Sequence, residues 1–198
     1  MKRSPLVHER VFAGDFAEEY ARKHRKIAEN FGREVAEKLT RRGFEGGRIL
    51  DVGCGFGATA IVLAQALPRS EVVGIDLSEP LLELAHPAAQ AAGMGERATF
   101  ERADVQQIPY DDDSFDALIN LQMLHIVENP VAMLDEMERV LAPAGVLFMA
   151  DIRRSWVGFF DKVFKSGLTV EEADALVRRS KLREGIFSSD LLWWRYEA

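Results

Sequence analysis

The sequence predicts an α/β fold: a doubly wound, mostly parallel sheet, preceded by a helical segment and followed by two short strands. Three observations support it. Short apolar runs alternate with helical patterns between residues 48 and 151, as a series of βαβ units requires. The first run, Ile49-Leu50-Asp51-Val52, passes through Gly53, Gly55 and Gly57 into the alanine-rich Ala58–Ala66, reading strand, tight turn, helix. Phe115 to Asn120 is apolar on both faces, as a central parallel strand covered on both sides must be.

In chain order, residues 1–12 read as irregular. From Asp15 to Leu39, apolar Phe16, Tyr20, Ile27, Phe31, Val35 and Leu39 recur at three- and four-residue spacings with charges between them, which predicts helix. Gly32 is expected to split or bend it. Gly43 to Gly47 links it to the first strand, so the chain divides into an N-terminal part, 1–45, and a main unit, 46–198. Pro68 stops the helix that follows the glycine turn. Glu71 to Asp76 is the second strand. Ser78 can cap the next helix, with Pro80 in its first turn and Leu81, Leu82 and Leu84 inward. Pro87 is expected to bend or break that helix before Gly93.

A third strand ends near Arg102, and Asp111-Asp112-Asp113 reads as a solvated turn. Phe115 to Asn120 is the fourth strand. Pro130 starts a helix running to about Leu141, with Val131, Leu134, Met137, Val140 and Leu141 inward, and Val146 to Asp151 is the fifth strand. Trp156 to Phe164 is aromatic and compatible with helix. Thr169 can cap a helix from Val170 to about Ser180, with Glu171 and Glu172 favourably placed in its first turn. Arg183 to Phe187 and Leu191 to Tyr196 read as two short strands.

Composition narrows the function classes. A chain of 198 residues, 47% hydrophobic and 29% charged, is an ordinary globule with a full core. No apolar run approaches the roughly 20 residues that cross a membrane, and no signal peptide is visible. The single Cys54 leaves no internal disulfide framework and suits a reducing cytoplasm. It lacks a basic neighbour to activate it, so it reads as a small packing residue. Four scattered histidines and one cysteine assemble no metal cluster by spacing. Residues 1–48 carry 12 Lys/Arg against 8 Asp/Glu, a charge of +4; residues 49–198 carry 13 against 24, a charge of −11. The acidic main body argues against a nucleic-acid substrate. The basic N-terminal part leaves room for a polyanionic partner.

The candidate site follows from the glycine turn. Glycines there allow unusual backbone angles and close approach to a ligand, and the helix after them directs unpaired N–H groups at the same place. Asp51 adds a negative charge, so a ligand served by both carries an anionic and a cationic end. The spacing Gly53-x-Gly55-x-Gly57 is one residue shorter than the dinucleotide-binding turn. Asp76 closes the second strand about twenty residues on, where an acid can bond both hydroxyls of a ribose. Asp104 again stands just past a strand. Asn120 to His125 follow the carboxyl end of the fourth strand, the edge at which open α/β sheets bind ligands, and Asn120 is a candidate cofactor-binding residue there. His125 is of a residue type suited to a general base, although a histidine at such a place is more often a structural hydrogen-bonder. Asp151 and Tyr110 are weaker base candidates.

These stretches resemble the class I S-adenosylmethionine-dependent methyltransferases, in particular the small-molecule, type 11-like branch that includes the quinone-biosynthesis enzymes. The resemblance rests on Leu50-Asp51-Val52-Gly53-Cys54-Gly55-Phe56-Gly57, Gly74-Ile75-Asp76-Leu77-Ser78, Ala103-Asp104, Ser114 to Asn120, and Leu141-Ala142-Pro143-Ala144-Gly145, in the family's order. The family usually places two glycines after the proline, where this chain has Ala144-Gly145.

The resemblance implies a Rossmann-like sheet closed by an antiparallel hairpin, with the N-terminal helix as a cap or lid over the cleft. It implies S-adenosylmethionine as cofactor, S-adenosylhomocysteine as product and a small molecule as methyl acceptor. By the same resemblance Asp76 binds the ribose and Asp104 the adenine amino group, Leu77 and Val105 flank the adenine, and Tyr20 reaches the amino-acid end. Asp51 favours the cationic methionine end, with Gly53, Gly55 and Gly57 giving backbone room. Trp156, Phe159 and Phe160 could line an apolar acceptor pocket or, equally, pack against the core. Two alternatives remain at this point: a binding module of the same fold without transferase activity, and a nicotinamide-dependent oxidoreductase, which the shortened glycine turn disfavours.

Overall fold

The computed structural model describes residues 14–155 and 162–198. The expected irregular start at 1–12, and Trp156, Phe159 and Phe160, lie outside them. The element order is α1 (Gly14–Arg41), β1 (Gly47–Val52), α2 (Ala58–Ala66), β2 (Ser70–Asp76), α3 (Glu79–Ala91), β3 (Ala98–Arg102), β4 (Phe115–Leu121), α4 (Pro130–Val140), β5 (Leu141–Ile152), α5 (Lys162–Ser166), α6 (Val170–Val177), β6 (Ile186–Ser189) and β7 (Trp193–Glu197).

One seven-stranded sheet runs in the order β3-β2-β1-β4-β5-β7-β6. The β1–β2, β1–β4, β2–β3 and β4–β5 pairs are parallel, and β7 lies antiparallel to both β5 and β6. The strand order therefore reverses between β1 and β4, opening a crevice at their carboxyl ends. The closing hairpin is held by Trp194 and Tyr196, both fully buried.

α2 is buried around most of its circumference, because the sheet covers one side and α1 the other. α1 is the first correction to the sequence reading: it runs unbroken through Gly32. A Cβ at that position would come within 3.1 Å of the Thr59 carbonyl oxygen and of Val62. Gly32 thus gives α2 room to approach, and the Thr59 hydroxyl donates to the Ala28 carbonyl beside it at 3.2 Å. α3 likewise continues through Pro87. The proline is on the exposed side of the helix, where water can serve the carbonyl that loses its partner. Ser78 stands at the N-cap position and its carbonyl accepts from Leu81 and Leu82, but its hydroxyl makes no capping bond.

Later boundaries shift for local reasons. In α4, Met133 takes the buried position expected of Val131, which is only half-buried. β5 begins at Leu141 and jumps register, pairing Phe115 with Leu141 but Ala117 with Val146. Its regular part matches the expected strand. α6 has the full capping box: Glu172 N–H donates to the Thr169 hydroxyl and Thr169 N–H to the Glu172 carboxylate. The helix ends at Val177 rather than near Ser180, because the Ser180 hydroxyl donates to the Val177 carbonyl and turns the chain. Beyond it, Lys181 and Arg183 are drawn to Asp135 and Glu138 of α4.

Candidate functional site

The register aligns the carboxyl ends of the central strands: Val52 is opposite Ile75 and Asn120, and Asn120 is opposite Met149. A row of acids borders that edge, with Asp104 after β3, Asp76 ending β2, Asp51 in β1 and Asp151 in β5. The acids that the sequence reading singled out therefore come together along one side of the sheet.

The glycine turn is built on β2. Gly53 and Cys54 both donate their N–H groups to the Ile75 carbonyl, at 2.8 and 2.9 Å. Asp76 then holds the turn from the other side, receiving the Gly55 N–H on Oδ2 and the Ser78 N–H on Oδ1, both at 2.8 Å. Gly53, Gly55 and Gly57 have φ of 78°, 53° and 74°, which side-chain-bearing residues rarely adopt. Two of the three are also packed tightly. A Cβ on Gly53 would lie 2.4 Å from Met123, and one on Gly57 would lie 2.6 Å from Phe100. At Gly55 the nearest atom would be 3.8 Å away, so the turn is open there. Cys54 is buried and its thiol is pushed well above its usual range by burial and by Asp76 and Asp51, as befits a packing residue.

A small cavity of about 40 Å³ lies between α1 and this turn, bordered by Tyr20, Asp51, Gly53, Gly55, Leu121 and Gln122 among others. Asp51 is 1% exposed, and its Oδ2 has no hydrogen-bond partner among the described residues. Burial, and secondarily the charge of Asp76, push its carboxyl up to about 7, against a smaller opposing pull from the Ala60 amide. The Tyr20 phenol is pushed up to about 12 by burial and by the charges of Asp76 and Asp151. Its ring stacks on His24 at 4.1 Å and meets Phe56 edge-on at 6.2 Å. These contacts bring the N-terminal helix down onto the glycine turn.

Further along the edge, the Asn120 side chain donates to the Val52 carbonyl at 2.8 Å, tying β4 to β1. His125 is buried against Asp151, with Nδ1 2.7 Å from Oδ1 and the backbone N–H donating to Oδ2 at 3.0 Å. Asp104 accepts from the backbone and side-chain nitrogens of Gln106, at 2.9 and 3.2 Å. Leu77 is 38% exposed beside Asp76, whereas Val105 belongs to the main core. Tyr110 is removed from the cleft: its ring packs edge-on against Phe115, the first residue of β4, at the amino edge of the sheet. The exposed Asp111–Asp113 turn is also remote, with Asp112 paired to Arg139.

Gln122 was not singled out by pattern, yet it borders the cavity with φ of 60°. Its place just beyond β4, within Asn120–His125, was the available signal.

Fold and candidate site together define an α/β protein with a mostly parallel sheet and a row of acids at the strand-order reversal. Residues 44–184 match the methyltransferase-domain family, and the chain belongs to that family. It is 33% identical over 158 residues to the phthiotriol/phenolphthiotriol dimycocerosates methyltransferase of Mycobacterium leprae, a match covering 77% of this chain and 57% of that one. It superposes on a SAM-dependent methyltransferase from Aquifex aeolicus with a TM-score of 0.71, at 20% identity and covering 82% and 88% of the two chains. It also resembles the [4+2]-cyclase SpnF, at 31% identity and a TM-score of 0.57, over 63% of this chain and 46% of that one. The chain spans about half the length of the curated relatives it matches. No helix among the described residues is long and apolar enough to cross a membrane.

Proposed function

We propose that this protein transfers a methyl group from S-adenosylmethionine to a small-molecule acceptor. The observation that carries the reading is the buried, unpartnered Oδ2 of Asp51 beside an open glycine turn. A buried carboxylate oxygen without a partner is costly, so a site that keeps one is suited to a cationic ligand group. The methionine ammonium supplies that group. Asp76 offers its remaining lone pairs to the ribose hydroxyls, because two oxygens carry about four acceptor sites and the Gly55, Ser78 and Leu77 amides do not use them all. Asp104 serves the adenine end, between Leu77 and Val105, and Asn120 fixes the β1–β4 spacing beneath the site.

The cofactor brings a methyl group on sulfonium, already activated for in-line displacement. The chain's residues then position the two reactants and exclude water. Tyr20 and the N-terminal helix cover the methionine end. A hydroxyl or amine acceptor must also lose a proton; His125, oriented by Asp151, is the group we assign to receive it. The single buried Cys54 suits a cytoplasmic setting.

A second reading is a protein of this fold that binds the cofactor without transferring its methyl group; that a similar chain is named a cyclase, not a methyltransferase, keeps that reading in view. Incubation of the protein with labelled S-adenosylmethionine and metabolite extracts separates the two. Labelled acceptor and S-adenosylhomocysteine are expected. Cofactor binding with no demethylated product from any extract would favour the second reading.

A further inference from the structure

Gln122 and Asp113 have positive φ without being glycine, 60° and 59°. Asp113 lies in an exposed turn and is of a residue type that tolerates this region. Gln122 has neither excuse. The turn itself is needed: Gln122 N–H donates to the Ala150 carbonyl at 2.9 Å, Met123 then packs against Gly53, and His125 reaches Asp151. A glycine would make that turn without steric cost. A glutamine side chain kept at such a position calls for a use.

Among the described residues its amide has no hydrogen-bond partner, although it borders the cavity that also holds Tyr20, Asp51 and Gly53. Strained backbone concentrates at ligand-binding positions. The charge around it narrows the choice of ligand group. The charges of Asp76 and Asp151 act on the Tyr20 phenol, Asp51 borders the same cavity, and no lysine or arginine among the described residues does. A ligand carboxylate there is met by hydrogen-bond donors rather than by a lysine or arginine. Besides the backbone amides of the glycine turn, the Tyr20 hydroxyl, the His24 ring and the Gln122 amide supply them, and of these Gln122 is the one held on a left-handed backbone.

We propose that the Gln122 side-chain amide donates to the carboxylate of the cofactor's methionine end, while Asp51 faces the ammonium. This rests on the reading of the site given under Proposed function. Gln122 is thereby a cofactor-binding residue that discriminates ligands bearing the amino-acid group from those lacking it.

Calorimetric titration of the full chain with S-adenosylhomocysteine and with 5′-methylthioadenosine, which lacks the amino-acid end, tests the assignment. Gln122→Ala is expected to weaken S-adenosylhomocysteine binding by about tenfold, roughly 1.4 kcal/mol, and leave 5′-methylthioadenosine within about twofold. Gln122→Gly relaxes the backbone and should show the same selective loss with an unfolding midpoint at or above that of Gln122→Ala. Gln122→Glu puts like charge against the ligand carboxylate and should lose more than Gln122→Ala. Equal weakening of both ligands, unchanged binding of both, or recovery by Gln122→Glu would overturn the proposal. A wild-type protein that binds neither ligand would instead overturn the reading of the site and this assignment with it.

Discussion

The Asp76 carboxylate accepts the Gly55 N–H at 2.8 Å, joining the end of β2 to the middle of the glycine turn. The same carboxylate holds Ser78 at the start of α3. Burial raises its affinity for a proton, and these amides oppose that shift. The residue assigned to the ribose is therefore also the clamp that shapes the turn.

Asp76→Ala should weaken S-adenosylhomocysteine binding by more than tenfold, at least about 1.4 kcal/mol. It should also lower the unfolding free energy by about 1–3 kcal/mol, since the Gly55, Ser78 and Leu77 amides lose a charged acceptor. Asp76→Asn keeps one carbonyl acceptor and should recover part of the stability but little of the binding. Titration calorimetry beside urea unfolding checks both effects. Unchanged titration curves for Asp76→Ala would remove Asp76 from the site.

Asp51 makes the ligand-free protein sensitive to pH. Its folded-state carboxyl is raised to about 7 from an ordinary 3.8, chiefly by burial. Between those values the folded chain keeps a proton that the unfolded chain has released. Stability from this group is therefore complete at low pH, falls as pH rises through that window, and levels off above about 7. Asp51→Asn removes the titration. Relative to wild type, that variant should gain stability, by an amount on the order of 1–3 kcal/mol, on going from about pH 5 to about pH 7.5. Urea unfolding at the two pH values measures it; a constant difference would mean that Asp51 does not titrate there. If the ammonium seats against Asp51, S-adenosylhomocysteine binding should release a proton near pH 6 and tighten as pH rises.

Much of this site was legible because its chemistry is local in sequence. The glycine turn, Asp51, Asp76 and Asp104 each sit at or just beyond a strand's carboxyl end, and the parallel register aligns those ends. What eluded pattern reading depends on contacts between distant segments. Gly32 looks like a helix breaker until Thr59 and Val62 of α2 are placed against it. Pro87 looks like a kink until its side of α3 proves to face water. Tyr110 is a base candidate by residue type, yet Phe115 holds its ring at the opposite edge of the sheet. The use of Gln122 is likewise invisible without its backbone angle and the cavity beside it.

The His125–Asp151 contact separates structure from catalysis. Asp151 is 1% exposed and receives His125 through both ring and backbone, as well as its neighbour Ile152 N–H at 2.7 Å. Asp151→Ala should cost about 3 kcal/mol of stability, because buried partners are left without their acceptor. His125→Gln should preserve the fold and S-adenosylhomocysteine binding. If His125 accepts the acceptor's proton, that variant should lower kcat by roughly 100-fold or more while KM for the methyl donor stays within about twofold. Single-turnover methyl transfer, once an acceptor is in hand, decides the matter: an unaltered rate assigns His125 to structure alone.

Gly55 and Gly57 differ by what stands beside them, so the same substitution should have two different outcomes. At Gly57 a Cβ would meet Phe100 at 2.6 Å and Ala85 at 2.8 Å, on top of a φ of 74°. Gly57→Ala combines overpacking with backbone strain and should destabilise the protein by about 2–5 kcal/mol. At Gly55 only Leu81 comes near, at 3.8 Å, so the cost in the free protein is the left-handed backbone alone, about 1–2 kcal/mol. The space left open there is where a ligand approaches the backbone. Gly55→Ala should therefore weaken S-adenosylhomocysteine binding by more than its loss of stability, measured on the same preparation. A ligand that binds Gly55→Ala as tightly as wild type would show that it does not approach the turn at Gly55.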